Sequence, residues 1–323
     1  MRLLLTALLG GLIALVPRPA AGTAVHKLNV TTLMPTGGNG YLEVKKWKRD
    51  VEAASGGRLK LRIYPSRIAG TDQEVMRKLR TGKLDAANVG SGAISTFVRQ
   101  AKILEAPGMF RSGEHFERAR RALADDFQRE AYENGFKLIS WADIAPVRIL
   151  SRRPVHTPQD LRGLKLWRYQ GDDVTKGLYA MLGLKGQALP LPQVGDALRR
   201  KQVDFVYAPA LMLMAMQWFA HLPYISREGF GVTELAFVMG RHSYEAVPPE
   251  LTQIFIERTI KLNQRVVKEL RRDDRKTFKM LLKRGLTAFD IDRGRWVDVG
   301  IKLRERLVGD LYTKDLMDRV REL

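Results

Sequence analysis

The segment 163–173 combines side chains that could recognise a charged ligand. It reads G-L-K-L-W-R-Y-Q-G-D-D, so that Arg168 stands between two aromatic residues and two carboxylates follow a glycine. An arginine can hold a carboxylate through two parallel hydrogen bonds, which would make the segment the wall of an anion site. The same pattern is also typical of a buried strand that carries one outward-facing arginine. Both interpretations stay open until the neighbouring elements are placed.

Residues for catalysis or metal binding are not grouped in this sequence. The five histidines are scattered, and no H-E-x-x-H, G-x-S-x-G or G-x-x-x-x-G-K motif occurs. T-G-G-N-G at 36–40 lies between a predicted strand and a predicted helix, and a flexible turn explains it better than a phosphate-binding loop. The sequence therefore predicts a protein that is not an enzyme and has neither a metal site nor a cofactor.

The first 24 residues have the pattern of a cleavable secretory signal peptide. Arg2 precedes an apolar run over 3–16, and small residues suited to cleavage follow between Ala20 and Ala24. The apolar run is too short to span a bilayer. The absence of cysteine excludes disulfides, thiol catalysis and a lipid-modified cysteine anchor. We therefore expect a periplasmic protein that is not a lipoprotein.

The net charge of +20, with a sequence pI near 10.2, raises the question of an acidic partner. The basic runs at 45–49, 118–121 and 268–272 each lie in a helix-like segment, where they are expected to form solvated faces. An exported protein seldom meets nucleic acid, so nucleic-acid binding is not predicted. Weak attraction to an anionic membrane surface or to an acidic partner fits the charge better.

Strand-like and helix-like segments alternate along most of the chain. The segments 26–33, 58–64 and 83–89 read as strands, and the intervening segments 41–54 and 71–80 have helical spacing. Strands separated by helices of this length predict βαβ units and a mostly parallel sheet.

A second α/β series follows, and the chain ends in helices. Helical spacing over 114–134 precedes two predicted strands at 136–141 and 146–151. We predict an α/β clamshell of two lobes, with the signal peptide at 1–24, the first lobe mainly at 25–145, the second mainly at 146–248 with crossing strands, and C-terminal helices at 249–323 that pack across both lobes.

Five segments together resemble one family of transport proteins. They read S-G-G-R-L-K-L-R-I-Y-P (55–65), G-K-L-D-A-A (82–87), A-P-G-M-F (106–110), R-R-P-V-H-T-P-Q-D-L-R-G-L-K-L (152–166) and A-L-R-R-K-Q-V-D (197–204). In this order they are similar to the extracytoplasmic substrate-binding proteins of tripartite ATP-independent periplasmic (TRAP) transporters, of the C4-dicarboxylate-binding type. The resemblance implies two lobes that close on a small organic ligand, which is then delivered to the subunits of a membrane permease.

The chain departs from this family where the family binds its ligand. The family usually has an arginine directly after the segment matched by G-L-K-L, but Trp167 stands there and the arginine follows at position 168. Since consecutive strand residues face opposite sides, we expect Trp167 in the cleft and Arg168 outside it, paired with Asp172 or Asp173. A second family arginine aligns without a gap to Val147, and a one-residue slip would bring Arg148 into its place.

These departures predict a cleft with fewer charges and more aromatic surface. V-Y-A-P at 206–209 replaces polar residues of the family, so that Tyr207 is also expected in the cleft. The ligand is then a small organic acid or an apolar molecule, more apolar or aromatic than a C4-dicarboxylate. The predicted ligand-binding residues are Trp167, Tyr207, Arg148, Trp141, Asn88, Ser91 and Gln217. Two other functions stay open: a stand-alone ligand sensor or interaction protein on the same fold, and an enzyme on a clamshell scaffold.

Overall fold

The computed structural model describes residues 24–66, 68–105, 110 and 113–323. The signal peptide predicted at 1–24 and the A-P-G-M part of the segment 106–110 lie almost wholly outside the described residues. The ten strands are β1 (His26–Thr31), β2 (Leu59–Tyr64), β3 (Ala86–Gly90), β4 (Phe136–Ser151), β5 (Leu166–Tyr169), β6 (Gly186–Leu189), β7 (Phe205–Ala208), β8 (Tyr224–Ser226), β9 (Gly231–Gly240) and β10 (Thr287–Phe289).

Helices lie between most of these strands and form the C-terminal region. In the described part of the chain they are α1 (Asn39–Ala54), α2 (Asp72–Arg80), α3 (Ser91–Ile94), α4 (Gly113–Ala122), α5 (Ala124–Glu133), α6 (Asp173–Met181), α7 (Leu191–Arg199), α8 (Ala210–Ala215), α9 (Arg241–Ala246), α10 (Pro249–Lys283), α11 (Arg293–Arg306) and α12 (Lys314–Arg321). Short 3-10 helices occur at Arg99–Leu104, Pro158–Leu161 and Trp218–Ala220.

The strands form one mixed sheet that consists of two halves. The order is β2-β1-β3-β9-β4-β7-β5-β6, and β8 and β10 extend from β4. β1 runs parallel to β2 and β3, and β5 runs parallel to β6 and β7, as expected for βαβ units. The long antiparallel strands β9 and β4 stand between these parallel groups. We call β2, β1, β3 and β9 the first half-sheet, and β7, β5, β6, β8 and β10 the second half-sheet.

Strand β4 belongs to both half-sheets. Up to Val147, which pairs with Gly231, it runs beside β9; from Arg148, which pairs with Ala208, it runs beside β7. The two strands predicted at 136–141 and 146–151 are therefore one strand. Irregular pairing between Leu138 and Ser140 and between Asp143 and Ala145 interrupts its pattern, which explains why the sequence reads as two.

Helix α10 packs across both half-sheets. Its 35 residues give it a length of about 50 Å. It contacts α1 beside the first half-sheet, α8 beside the second, and β4 between them. Its apolar side faces these partners, because Leu251, Phe255, Leu262 and Leu281 are all buried along the helix.

Helix α2 shows how local sequence sets an element boundary. Thr71 accepts a hydrogen bond from the backbone N–H of Glu74, and the Glu74 carboxylate accepts one from the Thr71 backbone N–H. This capping box satisfies two backbone donors at the helix start. The helix predicted over 71–80 is confirmed within one residue.

The core beside the first half-sheet centres on Trp47 of α1. Its indole is 1% exposed and meets the rings of Phe237 and Phe255 edge-on, with ring centroids 5.6 Å away in each case. These contacts join α1, β9 and α10 in one apolar cluster. Edge-to-face packing adds to the free energy gained by burying the rings.

Trp47→Ala is expected to lower the free energy of unfolding by about 3–5 kcal/mol, because it leaves a cavity where three elements meet. Chemical denaturation of the mature protein measures this loss. Leu42→Ala removes an apolar side chain of the same helix that is 47% exposed, and should change the free energy of unfolding by less than about 1 kcal/mol. Equal losses in both variants would contradict the assignment of this core.

Candidate functional site

A cavity of about 320 Å³ lies where the two half-sheets meet. Its wall is formed by the end of β3 with the start of α3, the middle of β4 and the start of β9, together with β5, the start of α6 and the junction of β7 with α8. The 3-10 helix at Arg99–Leu104 and the residue after it complete the wall. Both half-sheets thus contribute to one cavity, which is the arrangement expected of a ligand site between lobes.

Aromatic side chains form one wall of this cavity. Trp167 of β5 and Tyr207 of β7 have ring centroids 4.9 Å apart, and Phe230 lies 5.9 Å from Tyr207. The Trp167 indole is 2% exposed, and its Nε1 donates to the carbonyl of Leu189 at 3.0 Å. Packing and this hydrogen bond fix the ring orientation, so the wall is rigid before any ligand arrives.

A hydrogen bond joins Tyr207 to Asp172 in the same wall. The Tyr207 hydroxyl donates to Asp172 Oδ2 at 2.5 Å and accepts from the backbone N–H of Tyr169 at 3.2 Å. Asp172 also caps α6, since its Oδ1 accepts from the backbone N–H of Thr175 at 2.8 Å. Burial, and then the charge of Asp172, raise the pKa of Tyr207 well above its usual value of 10, so the hydroxyl remains a donor.

A buried cluster of charged groups forms another part of the wall. Lys102 Nζ donates to Glu105 Oε2 at 2.7 Å, and both side chains are largely buried. Glu234 of β9 is 0% exposed, and its two carboxyl oxygens have no hydrogen-bond partner among the described residues. The Trp141 indole N–H is close enough to lower the pKa of Glu234, but makes no hydrogen bond of regular geometry.

The pKa values of the two buried carboxyls are shifted in the same direction. Burial raises the pKa of Glu105, although the ammonium of Lys102 opposes the shift. Burial, and then the charge of Glu105, raise the pKa of Glu234 well above its usual value of 4.5. The cluster therefore holds its carboxyls partly in the protonated form and leaves an excess of acidic groups near the cavity.

Arg148 does not line the cavity, which corrects its assignment to the ligand site. It is 7% exposed, and its Nη1 donates to Asp274 Oδ2 of α10 at 2.8 Å. Its Nε donates to the carbonyl of Arg227 at 3.3 Å, and the guanidinium lies over the ring of Phe278 at 4.5 Å. The preceding residue, Val147, does line the cavity, so strand alternation turns Arg148 towards α10.

Arg168 lies outside the cavity wall, as expected, but without the expected partner. In the part of the chain that the structure describes, it forms no ion pair with Asp172 or Asp173. Asp172 is engaged by Tyr207 and by the start of α6 instead. The prediction that Trp167 faces the cleft while its neighbour faces away agrees with the observed wall.

The remaining predicted site residues divide between the cavity and other places. Ser91 lines the cavity, and its Oγ accepts from the backbone N–H of Glu234 at 3.0 Å. Trp141 packs against Phe127, with ring centroids 5.1 Å apart, and is absent from the wall. Asn88 is buried, and its side-chain amide donates to the carbonyl of Ala236 at 3.3 Å.

Gln217 is exposed and also lies away from the cavity wall. Its φ of 57° places it in the left-handed region, where it ends α8 and begins the next 3-10 helix. Gln217 is therefore a turn residue.

The sequence reasoning missed the charged residues of the wall, Lys102, Glu105, Asp172 and Glu234. One signal was available: Lys102 and Glu105 stand three residues apart within an apolar segment, the spacing of an ion pair on one helical face. Glu234 gave no such signal, because its neighbours in space come from distant segments.

Two further searches covered the described residues. They contain no group of three or more His, Cys, Asp or Glu side chains placed to hold a metal ion. None of their helices combines the length and apolar character needed to cross a bilayer.

Comparison with known proteins places this cavity in context. Residues 31–303 match the model of a family described as bacterial extracellular solute-binding protein, family 7 (DctP). A solute-binding protein of Verminephrobacter eiseniae is 26% identical over 287 residues, covering 86% of this chain and 83% of the relative. The 2,3-diketo-L-gulonate-binding periplasmic protein YiaO of Escherichia coli is 23% identical over 292 residues, covering 88% of each.

A solved structure agrees with the observed fold. The crystal structure of a TRAP periplasmic solute-binding protein from Ochrobactrum anthropi has a TM-score of 0.84 at 16% sequence identity, covering 93% of this chain and 95% of that one. The predicted α/β clamshell of two lobes is confirmed by this match.

Asp274→Asn tests the interaction that holds Arg148 away from the cavity. Asparagine keeps the shape and can still accept from the backbone N–H of Leu211, but it leaves the Arg148 guanidinium buried without a counter-charge. We expect a loss of about 3–5 kcal/mol in the free energy of unfolding, measured by denaturant titration.

Asp273→Asn is the matched control, because this neighbour is more exposed and pairs with Arg272 near the surface. It should cost about 1 kcal/mol or less. Replacing both partners of the buried pair, by Arg148→Met with Asp274→Leu, should restore most of the stability. A loss in the double variant as large as in Asp274→Asn would argue against an uncompensated charge as the cause.

Proposed function

Because the chain belongs to family 7 of the bacterial extracellular solute-binding proteins, we propose that it is a receptor that binds a small organic ligand in the cavity and delivers it to a TRAP-type membrane permease. The resemblance to TRAP-transporter binding proteins is confirmed by the family match and the solved structures. The named relatives are solute-binding proteins, in agreement with the prediction that the chain is not an enzyme.

The aromatic wall of the cavity is the observation that supports the ligand class. Trp167 and Tyr207 present packed rings, and the lining residues among those described include no arginine. A buried carboxylate without a cationic partner would lose several kcal/mol on leaving water. A ligand with apolar or aromatic surface gains roughly 1.5–3 kcal/mol per well-buried group. The proposed ligand is therefore more apolar or aromatic than a C4-dicarboxylate.

Closure of two lobes is the proposed binding movement. The proposed first lobe, 25–145, carries the first half-sheet without β9, and the proposed second lobe, 146–248, carries most of the second half-sheet. The C-terminal helices at 249–323 span them. The change of β4 partner between Val147 and Arg148 is the natural place for a hinge. Since ligand contacts come from both sides, binding favours the closed state.

The proposed place of action is the periplasm, reached through a cleavable signal peptide at 1–24. The net charge of +20 would favour contact with an anionic membrane surface or with an acidic face of the permease. Such attraction concentrates the receptor near the permease and is expected to weaken as ionic strength rises.

Native mass spectrometry of the mature protein tests the proposed function. We expect a bound organic molecule with substantial apolar or aromatic surface to be released on denaturation. Trp167→Leu should weaken binding of that molecule about ten- to a hundredfold in a calorimetric titration, since it removes ring area from the wall.

Trp47→Leu makes the same chemical change in the apolar core outside the cavity wall, and should leave the affinity unchanged. A co-purified small dicarboxylate, retained equally by the protein and by Trp167→Leu, would contradict the proposed ligand class. A cavity that binds no small molecule at all would contradict the receptor function.

A further inference from the structure

The charged residues of the cavity wall are mostly acidic. Among the described lining residues the one basic side chain is Lys102, and the acidic ones are Asp72, Glu105, Asp172 and Glu234. A cavity lined by one sign of charge attracts the opposite sign. The wall therefore favours a ligand with a positive group, and this inference rests on the proposed receptor function.

The nearby basic groups are already paired. Lys102 is 4% exposed and pairs with Glu105 at 2.7 Å. Arg148 is directed to Asp274 on the far side of β4, at 2.8 Å. A ligand carboxylate would have to break one of these pairs, leaving a buried carboxylate of the protein without its partner.

The acidic groups, in contrast, lack compensation. Glu234 is fully buried with no hydrogen-bond partner for either oxygen among the described residues, and Glu105 Oε1 is in the same condition. The groups that act on Glu234 are Glu105, Lys102, the Trp141 indole and Asp143 of β4. Asp143 is itself paired with an arginine of α10, Arg271, so the cluster keeps its acidic excess.

Asp172 and the aromatic rings supply the contacts that an ammonium group needs. Asp172 is half-buried in the wall, and each of its oxygens accepts one hydrogen bond from the protein. A carboxylate has about four acceptor positions, so it can still bind a ligand N–H. The rings of Trp167, Tyr207 and Phe230 lie in the same wall and can attract a cation through their faces.

We propose that the ligand is a small organic ammonium ion on an apolar or aromatic body, bound with its positive group at Asp172 and against the rings of Trp167 and Tyr207. Glu105 and Glu234 contribute to its affinity through the acidic potential behind the wall. The site thus selects the opposite charge to that of a carboxylate ligand.

Proton release provides a readout that a structural role alone would not produce. In the ligand-free protein the pKa of Glu234 is raised, so the carboxyl binds a proton above its usual pKa of 4.5. A cation in the cavity favours the ionised form and lowers this pKa. Binding therefore releases protons, and affinity increases with pH between the pKa values of the bound and free states.

Calorimetric titration of the mature protein with phenethylamine and hydrocinnamate tests the proposal, because these probes share a phenyl body and differ in charge. Phenethylamine is expected to bind at least about tenfold more tightly, with proton release seen as a difference between two buffers of unlike ionisation enthalpy. Asp172→Asn retains the helix cap and should weaken the amine about tenfold. Glu234→Gln should abolish the proton release.

Asp173→Asn is the matched control, since this neighbouring carboxylate is exposed and absent from the wall; it should leave amine binding unchanged. Tighter binding of hydrocinnamate, or failure of the amine to bind, would overturn the proposal. If the cavity then holds hydrocinnamate or a co-purified acid, the receptor function stands and only the ligand charge is wrong. If it holds no small molecule, both fail.

Discussion

The buried ion pair between Arg148 and Asp274 determines what the cavity can bind. It joins β4 to α10 at the position where β4 changes its partner strand, and Asp274 also accepts from the backbone N–H of Leu211 at the start of α8. Removing both charges from water is costly, and the pair persists because hydrogen bonds and the Phe278 ring surround it. Its consequence for the site is that the arginine is committed to α10, while Val147 faces the cavity.

The rest of the wall is consistent with this constraint. With Arg148 engaged elsewhere, the described wall has one basic side chain, and that side chain is paired with Glu105. Rings and carboxyls occupy the space that remains. The Tyr207–Asp172 hydrogen bond fixes both a ring and a charge in one orientation, so the wall is organised before the ligand binds. A rigid aromatic wall together with acidic groups is suited to a cation on an apolar body.

Local features of the sequence predicted much of the fold. The α2 boundaries followed from its capping residues, and strand alternation placed Trp167 in the wall and Arg168 outside it. Alternation also favoured Val147 over Arg148, and the error came from allowing a one-residue slip that the structure does not contain. Such features depend on neighbours in the chain, which a single sequence displays.

The charged part of the site depends on distant neighbours and could not be predicted in this way. Arg148 and Asp274 are separated by 126 positions, and Tyr207 and Asp172 by 35. Glu234 is acidic in a strand of otherwise largely apolar residues, and only the folded chain brings Glu105 close to it. The electrostatic balance of the cavity is therefore a property of tertiary structure.

A crystal structure of the mature protein with its co-purified ligand would test the central claim most directly. The account predicts that the Arg148 guanidinium remains on Asp274, while the ligand contacts Trp167, Tyr207 and Asp172. An Arg148 side chain that has left Asp274 and forms a bidentate pair with a ligand carboxylate would contradict it.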